Sequence, residues 1–340
     1  MKTKLAILNT DDMNCNYGGV APFIRNLDPF LQKEYEVTYY YLTDEEKKGK
    51  FPHRLKIMWK LWRRRKELNK FDIILSHTPE ASFVASFTKT PYIHIYHGNS
   101  NPMTISRFWY GKYFAKLYDR LFKRIAHTAV LQYTVGPTWG NVKKLFNPIL
   151  HTVKPVSIDQ RKGFIFAGRL EAGKNIDRII RMYAMLPANL QADHPLDIAG
   201  YGTQEDNLKK LVMDMGMQDK VHFLGGMPNV KLIEEDAKHK VLLMASDKEG
   251  LPNAIAEAFS VGVPVISTAA GDIARVLKND YNGYIFPLDF KDADYVAAMK
   301  KALNDYERLS ANALESAKIF DASVVTAGLI KDINEIIKSK

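Results

Sequence analysis

The chain has 340 residues, 46% of them hydrophobic and 25% charged, a composition that excludes an intrinsically disordered protein and suffices for two domains. No apolar run reaches the roughly eighteen residues of a membrane-spanning helix. A single cysteine, Cys15, excludes an intrachain disulfide or a cysteine-built zinc site, and with no recognisable secretory leader it predicts a cytoplasmic protein.

The net charge of +10 is unevenly distributed. Residues 1–150 contain 24 Lys and Arg against 12 Asp and Glu, whereas the remainder contains 24 against 26. The whole excess therefore lies in the first half. This asymmetry predicts an anionic partner for that half: a membrane surface, a phosphorylated acceptor or nucleic acid.

Short apolar runs alternate with helical patterns along the chain, which predicts a parallel α/β fold. The strand candidates are 4–9, 35–41, 72–76, 92–96, 127–131, 163–167, 196–199, 221–224, 241–244, 264–267 and 284–287. A Pro-containing segment without periodicity divides them. We therefore predict two doubly wound, Rossmann-like domains, 1–150 and 163–320, a linker at 151–162, and a helix at 321–340 that braces them. Such domains bind ligands at the carboxyl ends of their strands, here facing each other across a cleft.

Two basic amphipathic stretches, 54–66 and 105–126, lie in the first half. Between residues 54 and 70, eight Lys and Arg side chains accompany one acid, with Trp59 and Trp62 at helical spacing. Basic helices with aromatic residues on one face are typical of membrane surfaces, but such helices can also pack on a sheet with their charges outside. We favour membrane or lipid-diphosphate contact for 54–66 and packing on the sheet for 105–126.

Two histidines accompany the strand at 92–96. His94 lies inside it and is expected to be structural. His97 follows its end and precedes a glycine, where ligands approach a parallel sheet.

The stretch "FIFAGRLEAGKNIDRII" predicts a strand, a glycine loop and a helix beginning near Asn175. Arg169 and Lys174 flank the turn. A helix N-terminus attracts anions, and two cations beside it suit a diphosphate. Two solvated cations at an ordinary helix start are an equal alternative on this motif alone.

A second stretch, "LDIAGYGTQEDNLKKL", repeats the pattern with Gly200 and Gly202. Gly-x-Gly after a strand is also found in dinucleotide-binding domains, but Glu205 occupies the third glycine position. The ribose-binding acid about twenty residues on is replaced by His222. A dehydrogenase is therefore disfavoured, although glycine still permits close approach of a nucleotide.

The third stretch is "EGLPNAIAEAF". Pro252 suits the first helical position, so the N–H groups of Leu251, Asn253 and Ala254 would face the cleft. Glu249 could accept hydrogen bonds from sugar hydroxyls. Glu257, about 7 Å from Pro252 along the helix axis, could hold a ribose diol. The alternatives are that Glu249 is a solvated acid in a turn and that Glu257 is a partly buried acid hydrogen-bonded to the backbone.

In this order, "GRLEAGKN", "IAGYGTQEDNL", "VHFLGG" and "EGLPNAIAEAFSVGVPVISTAAGD" resemble the retaining nucleotide-sugar glycosyltransferases of family 4, which have the GT-B fold. The resemblance covers the second half. It extends more weakly to the first half through "NYGGVAPFIRNL" and "IHIYHG".

The resemblance implies a role for each matching residue. Arg169 and Lys174 would neutralise the donor diphosphate, and Glu249 and Glu257 would bind the sugar hydroxyls and the ribose. Gly18 and Gly19 would let the first-domain loop approach the sugar phosphate, and His97 would position the substrate. The family's usual Gly-Gly pair is Ala270-Gly271 here, and the acid that often follows it is absent.

We expect no metal ion and no cofactor. Cations and helix N-termini can stabilise a diphosphate leaving group by themselves. Asp292 and Asp294 form an Asp-x-Asp pattern, but a predicted helix begins there, and acids in a first turn complement the helix dipole.

Together these features predict a retaining, metal-independent glycosyltransferase in the cytoplasm, either free or peripheral on the inner face of the cell membrane. It would transfer a hexose or N-acetylhexosamine from a nucleoside-diphosphate sugar, with UDP favoured over GDP. The acceptor would be a glycan, with a lipid-linked glycan favoured, in cell-surface polysaccharide synthesis. The alternative is a non-catalytic, nucleotide-sugar-binding subunit that activates a partner. A nucleic-acid partner is disfavoured, because no recognised motif supports it.

Overall fold

The computed structural model describes residues 2–15, 20–97, 111–135, 140–150 and 152–339, with only the backbone of 111–114. The chain divides into two compact units. The first contains Met1–Pro148 and Ala322–Lys340, and the second contains Ile149–Asp321.

The first unit is built on a six-stranded sheet in which all neighbouring strands are parallel. Its strands are β1 (Thr3–Leu8), β2 (Tyr35–Tyr40), β3 (Ile73–Ser76), β4 (Tyr92–Tyr96), β5 (Leu131–Thr134) and β6 (Lys143–Lys144), in the spatial order β2-β1-β3-β4-β5-β6. Its first six helices are α1 (Val20–Glu34), α2 (Asp44–Lys47), α3 (His53–Arg63), α4 (Arg65–Leu68), α5 (Pro79–Ala85) and α6 (Gly111–Thr128).

The second unit contains another six-stranded sheet with parallel neighbours throughout. Its strands are β7 (Phe164–Ala167), β8 (Leu196–Ala199), β9 (Val221–Gly225), β10 (Val241–Leu243), β11 (Val265–Thr268) and β12 (Gly283–Phe286), in the order β12-β11-β10-β7-β8-β9. Its helices are α7 (Ile176–Ala184), α8 (Ala188–Asp193), α9 (Glu205–Asp214), α10 (Asn229–Asp236), α11 (Asn253–Ser260), α12 (Ile273–Val276), α13 (Asp292–Asn304) and α14 (Tyr306–Ala317). The last helix, α15 (Ala322–Lys338), returns to the first unit.

Both faces of the first sheet are covered, as the continuous apolar strands predict. In β1, Leu5 and Ile7 contribute to the core shared with α1 and α15, whereas Ala6 and Leu8 contribute to the core shared with α3, α5 and α6. Side chains alternate between the faces of a strand, so one apolar run supplies both cores.

The helix expected at the C-terminus is confirmed as α15. Leu329 and Ile333 are fully buried and Val325 is 7% exposed, all in the core that includes α1. The Tyr35 hydroxyl also lies 3.0 Å from Asn334 Oδ1. The helix therefore packs within the first unit.

The segment expected as a linker, 151–162, ends in an anchored arginine. The guanidinium of Arg161 is buried and donates to the carbonyl oxygens of Val156, at 2.8 Å, and Gly262, at 3.0 Å. A short 3-10 turn, Ile158–Gln160, precedes it.

Ten of the eleven expected strands agree with the structure to within one residue at each end. The expectation of a strand at 127–131 is wrong, because α6 continues to Thr128 and β5 begins only at Leu131. The β-branched Thr128 and Val130 favoured a strand, but buried Ile125 extends the apolar face of the helix. The two-residue edge strand β6 was not predicted, because two lysines give no strand signal.

The basic stretch 54–66 forms α3 and the start of α4. Its buried residues are Ile57 and Leu61, whereas Trp59 is 61% exposed and Trp62 is 40% exposed. The aromatic stripe therefore faces solvent. In 105–126, residues 105–110 lie outside the described parts; further along, Leu121 and Phe122 pack against the core while Leu117 is 53% exposed.

In the parts of the chain that the structure describes, no helix is both long enough and apolar enough to cross a bilayer.

We predict that Leu329→Ala lowers the free energy of unfolding of the first unit by about 2–5 kcal/mol, because it leaves a cavity between α15 and the sheet. Val324→Ala on the same helix is the matched control. Val324 is 58% exposed, so its truncation should change stability by less than about 0.5 kcal/mol. Urea unfolding followed by circular dichroism measures both, and equal effects would show that α15 does not pack as described.

Candidate functional site

Four loops meet at the carboxyl edge of the second sheet. They follow β7, β8, β10 and β11, and these strands lie side by side in the order β11-β10-β7-β8. Loops that follow adjacent parallel strands emerge at the same edge, where α/β sheets bind their ligands. The three stretches that the sequence singled out are therefore neighbours.

The loops after β7 and β8 touch through their backbones. A Cβ atom on Gly200 would lie 1.8 Å from the carbonyl oxygen of Gly168, and Gly200 has a φ of +148°. Leu170 donates its N–H to the Tyr201 carbonyl at 2.9 Å, and Gln204 donates to the Leu170 carbonyl at 2.9 Å. Gly202 is similarly crowded by Leu170. Only glycine permits this approach, so the Gly-x-Gly pair holds the two loops together.

Asn175 ties the loop after β7 to the loop after β10. Its side-chain amide donates to the Ala245 carbonyl at 2.9 Å and to Asp247 Oδ1 at 2.7 Å, while Asp247 donates its N–H to the Gly173 carbonyl at 3.1 Å. Asn175 has a left-handed conformation, φ 50°, immediately before α7. Asparagine tolerates that conformation better than most residues.

These contacts bring Lys174 and Glu249 into an ion pair between Nζ and Oε1. The Lys174 side chain is 22% exposed and the Glu249 side chain 10%. Arg169, on the same loop as Lys174, is exposed. The paired ammonium has three donor hydrogens, so it can bind an anion while it remains paired with Glu249.

The loop after β10 leads into α11 through Pro252, which precedes the first helical residue, Asn253. The sequence predicted Pro252 itself as the first helical residue, so the helix begins one residue later than expected. Leu251 is buried. The first N–H groups of a helix have no partner within it, and those of α11 lie at the carboxyl edge of the sheet, beginning four residues after Glu249.

The turn after β11 closes against this loop. A Cβ atom on Gly271 would lie 2.2 Å from the Glu249 carbonyl oxygen, and Asp272 donates its N–H to the Gly250 carbonyl at 2.9 Å. Of the pair Ala270-Gly271, Gly271 is the member whose missing side chain this contact requires.

Glu257 is 4% exposed in the middle of α11. Its Oε1 accepts a hydrogen bond of 2.6 Å from the amide of Asn229, the first residue of α10. Burial raises the pKa of Glu257 to about 7, against the lowering effect of this bond. The acid is therefore held by a side chain, not by backbone as the alternative interpretation had it.

A second buried carboxyl group lies near Glu257. Asp236, at the end of α10, is fully buried, and neither oxygen has a hydrogen-bond partner among the described residues. Burial raises its pKa well above the usual range, and the charges of Glu257 and Glu235 add to the shift. Two carboxyl groups in one apolar region disfavour simultaneous ionisation.

The first unit carries a cluster of three histidines at the carboxyl edge of its sheet. His97 Nε2 lies 2.9 Å from His77 Nδ1, and His94 Nδ1 lies 2.7 Å from the Ser82 hydroxyl. Burial lowers the pKa of His97 to about 3, and burial with the charge of His97 does the same for His94. These rings are neutral near pH 7, and so low a pKa makes His97 a weak base, suited to hydrogen bonding and not to proton abstraction. Gly18 and Gly19 lie outside the described residues.

Asp292 and Asp294 occupy the first turn of α13, as expected. Asp292 accepts a hydrogen bond of 2.7 Å from Arg178 Nε. Asp292 therefore has a cationic partner within the protein.

Sequence reasoning missed Asn175, Asn229 and His77. Each acts on a residue far away in the chain, and an isolated asparagine or histidine gives no signal of its own. The left-handed conformation favoured by asparagine just before a helix was the only usable clue for Asn175.

The chain has the two-domain α/β GT-B fold. It superposes on sucrose-phosphate synthase from Thermosynechococcus elongatus with a TM-score of 0.81 at 15% identity, covering 100% of both chains. It superposes on the Anabaena protein HepE, in complex with UDP, with a TM-score of 0.76 at 15% identity, covering 98% of this chain and 100% of that one.

Residues 151–318 match the family described as glycosyl transferases group 1. A 206-residue segment is 33% identical to an N-acetyl-D-galactosaminyltransferase of Campylobacter jejuni whose name specifies an undecaprenol-diphosphate-linked acceptor. The match covers 57% of this chain and 55% of that relative. These matches support a glycosyltransferase.

We predict that Glu257 makes the protein less stable as pH rises from about 5 to 8. A carboxyl group whose pKa is higher in the folded state, about 7 against 4.5, binds its proton more tightly there. The fold therefore loses stability as the pH passes above 4.5, by roughly 3 kcal/mol at pH 8. Urea unfolding of the wild type and Glu257→Gln at both pH values should show a smaller loss for the variant. Equal losses would mean that Glu257 is ionised throughout this range.

Proposed function

We propose that the chain is a retaining, metal-independent glycosyltransferase of family 4 that uses a nucleoside-diphosphate sugar, with UDP as the nucleotide. The transferred group is a hexose or N-acetylhexosamine, and the acceptor is a lipid-linked glycan of a cell-surface polysaccharide. The observation that carries the proposal is the pairing of Lys174 with Glu249 beside the start of α11. The names of relatives support the substrate class, since one acts on an undecaprenol-diphosphate-linked glycan and one binds UDP.

The reaction breaks the bond between the anomeric carbon and the diphosphate oxygen, and the nucleoside diphosphate leaves with additional negative charge. Stabilising that charge is usually the largest contribution to catalysis. Lys174, the exposed guanidinium of Arg169 and the first N–H groups of α11 provide positive charge at one edge of the sheet. The acceptor hydroxyl forms the new bond to the anomeric carbon, and its proton passes to the departing diphosphate oxygen.

The two acids have different roles in this proposal. Glu249 keeps Lys174 in place and accepts hydrogen bonds from donor-sugar hydroxyls, with Leu251 and Asn253 supplying the neighbouring backbone. Glu257, whose ionised fraction rises as the pH passes through about 7 and which Asn229 orients, accepts hydrogen bonds from the ribose diol. Gly200 and Gly202 leave room for the nucleotide. In the first unit, neutral His97 positions substrate, and Gly18 and Gly19 would line the approach to the sugar phosphate.

We predict that Lys174→Met lowers kcat about 10²–10³-fold, the usual effect of removing one group that stabilises the developing charge. Lys209→Met is the control, because Lys209 forms a surface ion pair with Glu205 on α9 and should leave kcat unchanged. The measurement is nucleotide release from a panel of UDP- and GDP-sugars with lipid-linked oligosaccharides as acceptors. The anomeric configuration of the product is read by NMR.

Retention of configuration, with a rate that does not depend on added Mg²⁺ or Mn²⁺, is the expected result. Binding of a donor without turnover would instead favour the alternative function, a non-catalytic, nucleotide-sugar-binding subunit. Failure to bind or turn over any donor would reject both.

We further propose that the protein is cytoplasmic and that α3 contacts an anionic membrane surface. Trp59 and Trp62 are exposed there, and Arg63 and Arg65 stack on them at 4.8 and 4.9 Å from the ring centroids. Phe87, 45% exposed, extends the patch at 5.4 Å from Trp62. Such a surface combines apolar insertion with charge attraction of about 1 kcal/mol for each cation near the leaflet. A lipid-linked acceptor would place the enzyme at this surface.

The double substitution Trp59→Ser and Trp62→Ser should reduce sedimentation with phosphatidylglycerol vesicles several-fold, because it removes the side chains that insert among the headgroups. Val324→Ser, at a 58% exposed position on α15, should leave sedimentation unchanged. Equal binding by all three proteins would exclude α3 as the contact. Binding that is equally strong to neutral phosphatidylcholine vesicles would exclude the electrostatic contribution.

A further inference from the structure

A cluster of ionisable side chains lies at the opposite edge of the second sheet from the glycine loops. Asp197 is the second residue of β8, Glu235 is in the last turn of α10, and His239 lies just before β10. One carboxylate or imidazole atom from each lies within 4.8 Å of the others. Among the described residues this is the one such group of three.

Both carboxylate oxygens of Asp197 face imidazole nitrogens. Oδ1 lies 2.8 Å from His222 Nδ1, and Oδ2 lies 2.9 Å from His239 Nε2. The Asp197 carboxylate, only 17% exposed, therefore lies between two imidazole rings.

The contacts of His239 determine which of its ring nitrogens carries a hydrogen. Its Nδ1 lies 2.8 Å from the carbonyl oxygen of Glu235. A carbonyl oxygen only accepts, so Nδ1 carries the hydrogen, and in the neutral ring Nε2 presents a lone pair. That lone pair faces a carboxylate oxygen at 2.9 Å. Two acceptors at this distance repel unless a cation, either a proton or a metal ion, lies between them.

The surroundings of His239 are those of a metal ligand. A ligating histidine commonly donates its second ring N–H to a carbonyl group, which fixes the tautomer and the orientation of the ring. The His239 side chain is 5% exposed, and the Glu235 carboxylate, 22% exposed, is a second anion beside it. Lys238 pairs with Oε2 of Glu235 at 2.6 Å, which compensates only one of the two negative charges.

We propose that Asp197, Glu235 and His239 bind a divalent cation of the zinc class, with His222 available as a fourth ligand. Mixed imidazole and carboxylate ligands suit zinc and its neighbours better than calcium or magnesium. Bonds of about 2.0–2.2 Å hold tetrahedral ligand atoms roughly 3.4 Å apart. The Asp197 and His239 atoms therefore need to separate by about half an ångström, within the reach of small side-chain rotations.

The ion would connect β8, the end of α10 and the turn before β10. These elements meet at the amino edge of the sheet, so the ion stabilises the second unit and does not contact the donor. The start of α10 carries Asn229, which holds Glu257. Fixing the far end of this helix would therefore also keep Asn229 in place.

The test is Zn²⁺ binding by the full chain after treatment with a chelator, at pH 7.5. The wild type should bind one more equivalent of Zn²⁺ than Asp197→Asn or His239→Gln, measured by calorimetry and metal analysis. Zn²⁺ should raise its Tm by several degrees and leave the Tm of the variants unchanged. Co²⁺ should give the visible absorption of a tetrahedral site in the wild type only.

Glu235→Gln provides a milder variant should the other two fold poorly, and it should weaken binding at least tenfold. His127→Gln, at an exposed position on α6, is the control for adventitious binding and should match the wild type. Equal stoichiometry in the wild type and His239→Gln would overturn the proposal. So would a wild type that binds no Zn²⁺. Neither result would affect the proposed glycosyl transfer, which is measured by donor turnover.

Discussion

The loops after β7 and β8 lie against each other because Gly200 has no side chain. A Cβ atom at this position would overlap the Gly168 carbonyl oxygen, so any other residue would force the loops apart. The Gly168 loop continues to Lys174 and Asn175, and the Asn175 amide donates to Ala245 and Asp247 in the loop before Glu249. Backbone contact between Gly168 and Gly200 thus determines where Lys174 and Glu249 meet.

Electrostatics divides the second unit into two regions with different chemistry. At the carboxyl edge, Lys174 and Glu249 retain access to solvent, so an arriving anion or hydroxyl can exchange with existing contacts. Glu257 and Asp236 are instead buried, and burial raises their pKa values. The charge on each carboxyl group therefore depends on pH and on whether a ligand is bound. A donor whose ribose bonds the Glu257 carboxylate would favour the ionised form, which couples donor binding to loss of a proton.

The first unit differs in its balance of charge and aromatic side chains. The pKa values of its three histidines are lowered, and His77 and His94 are buried, whereas several of its cations stack on exposed aromatic rings at the surface. The excess of positive charge found in the first half of the sequence therefore includes a surface patch on α3. This arrangement explains why Trp59 and Trp62 remain exposed although two neighbours in the same helix, Ile57 and Leu61, are fully buried.

The sequence by itself determined the strand positions, the two parallel sheets, the glycine loops and the final helix, because these depend on local periodicity and on residues with special backbone freedom. The sequence-based position of β5 was wrong, because a β-branched segment there follows directly on an amphipathic helix. Only the tertiary structure decided which side chains meet: Lys174 with Glu249, 75 residues apart, Asn229 with Glu257, 28 apart, and Asp197 with His239, 42 apart. Such pairs depend on the order of strands in the sheet and on which edge each loop reaches. Neither property is encoded in the residues near either partner.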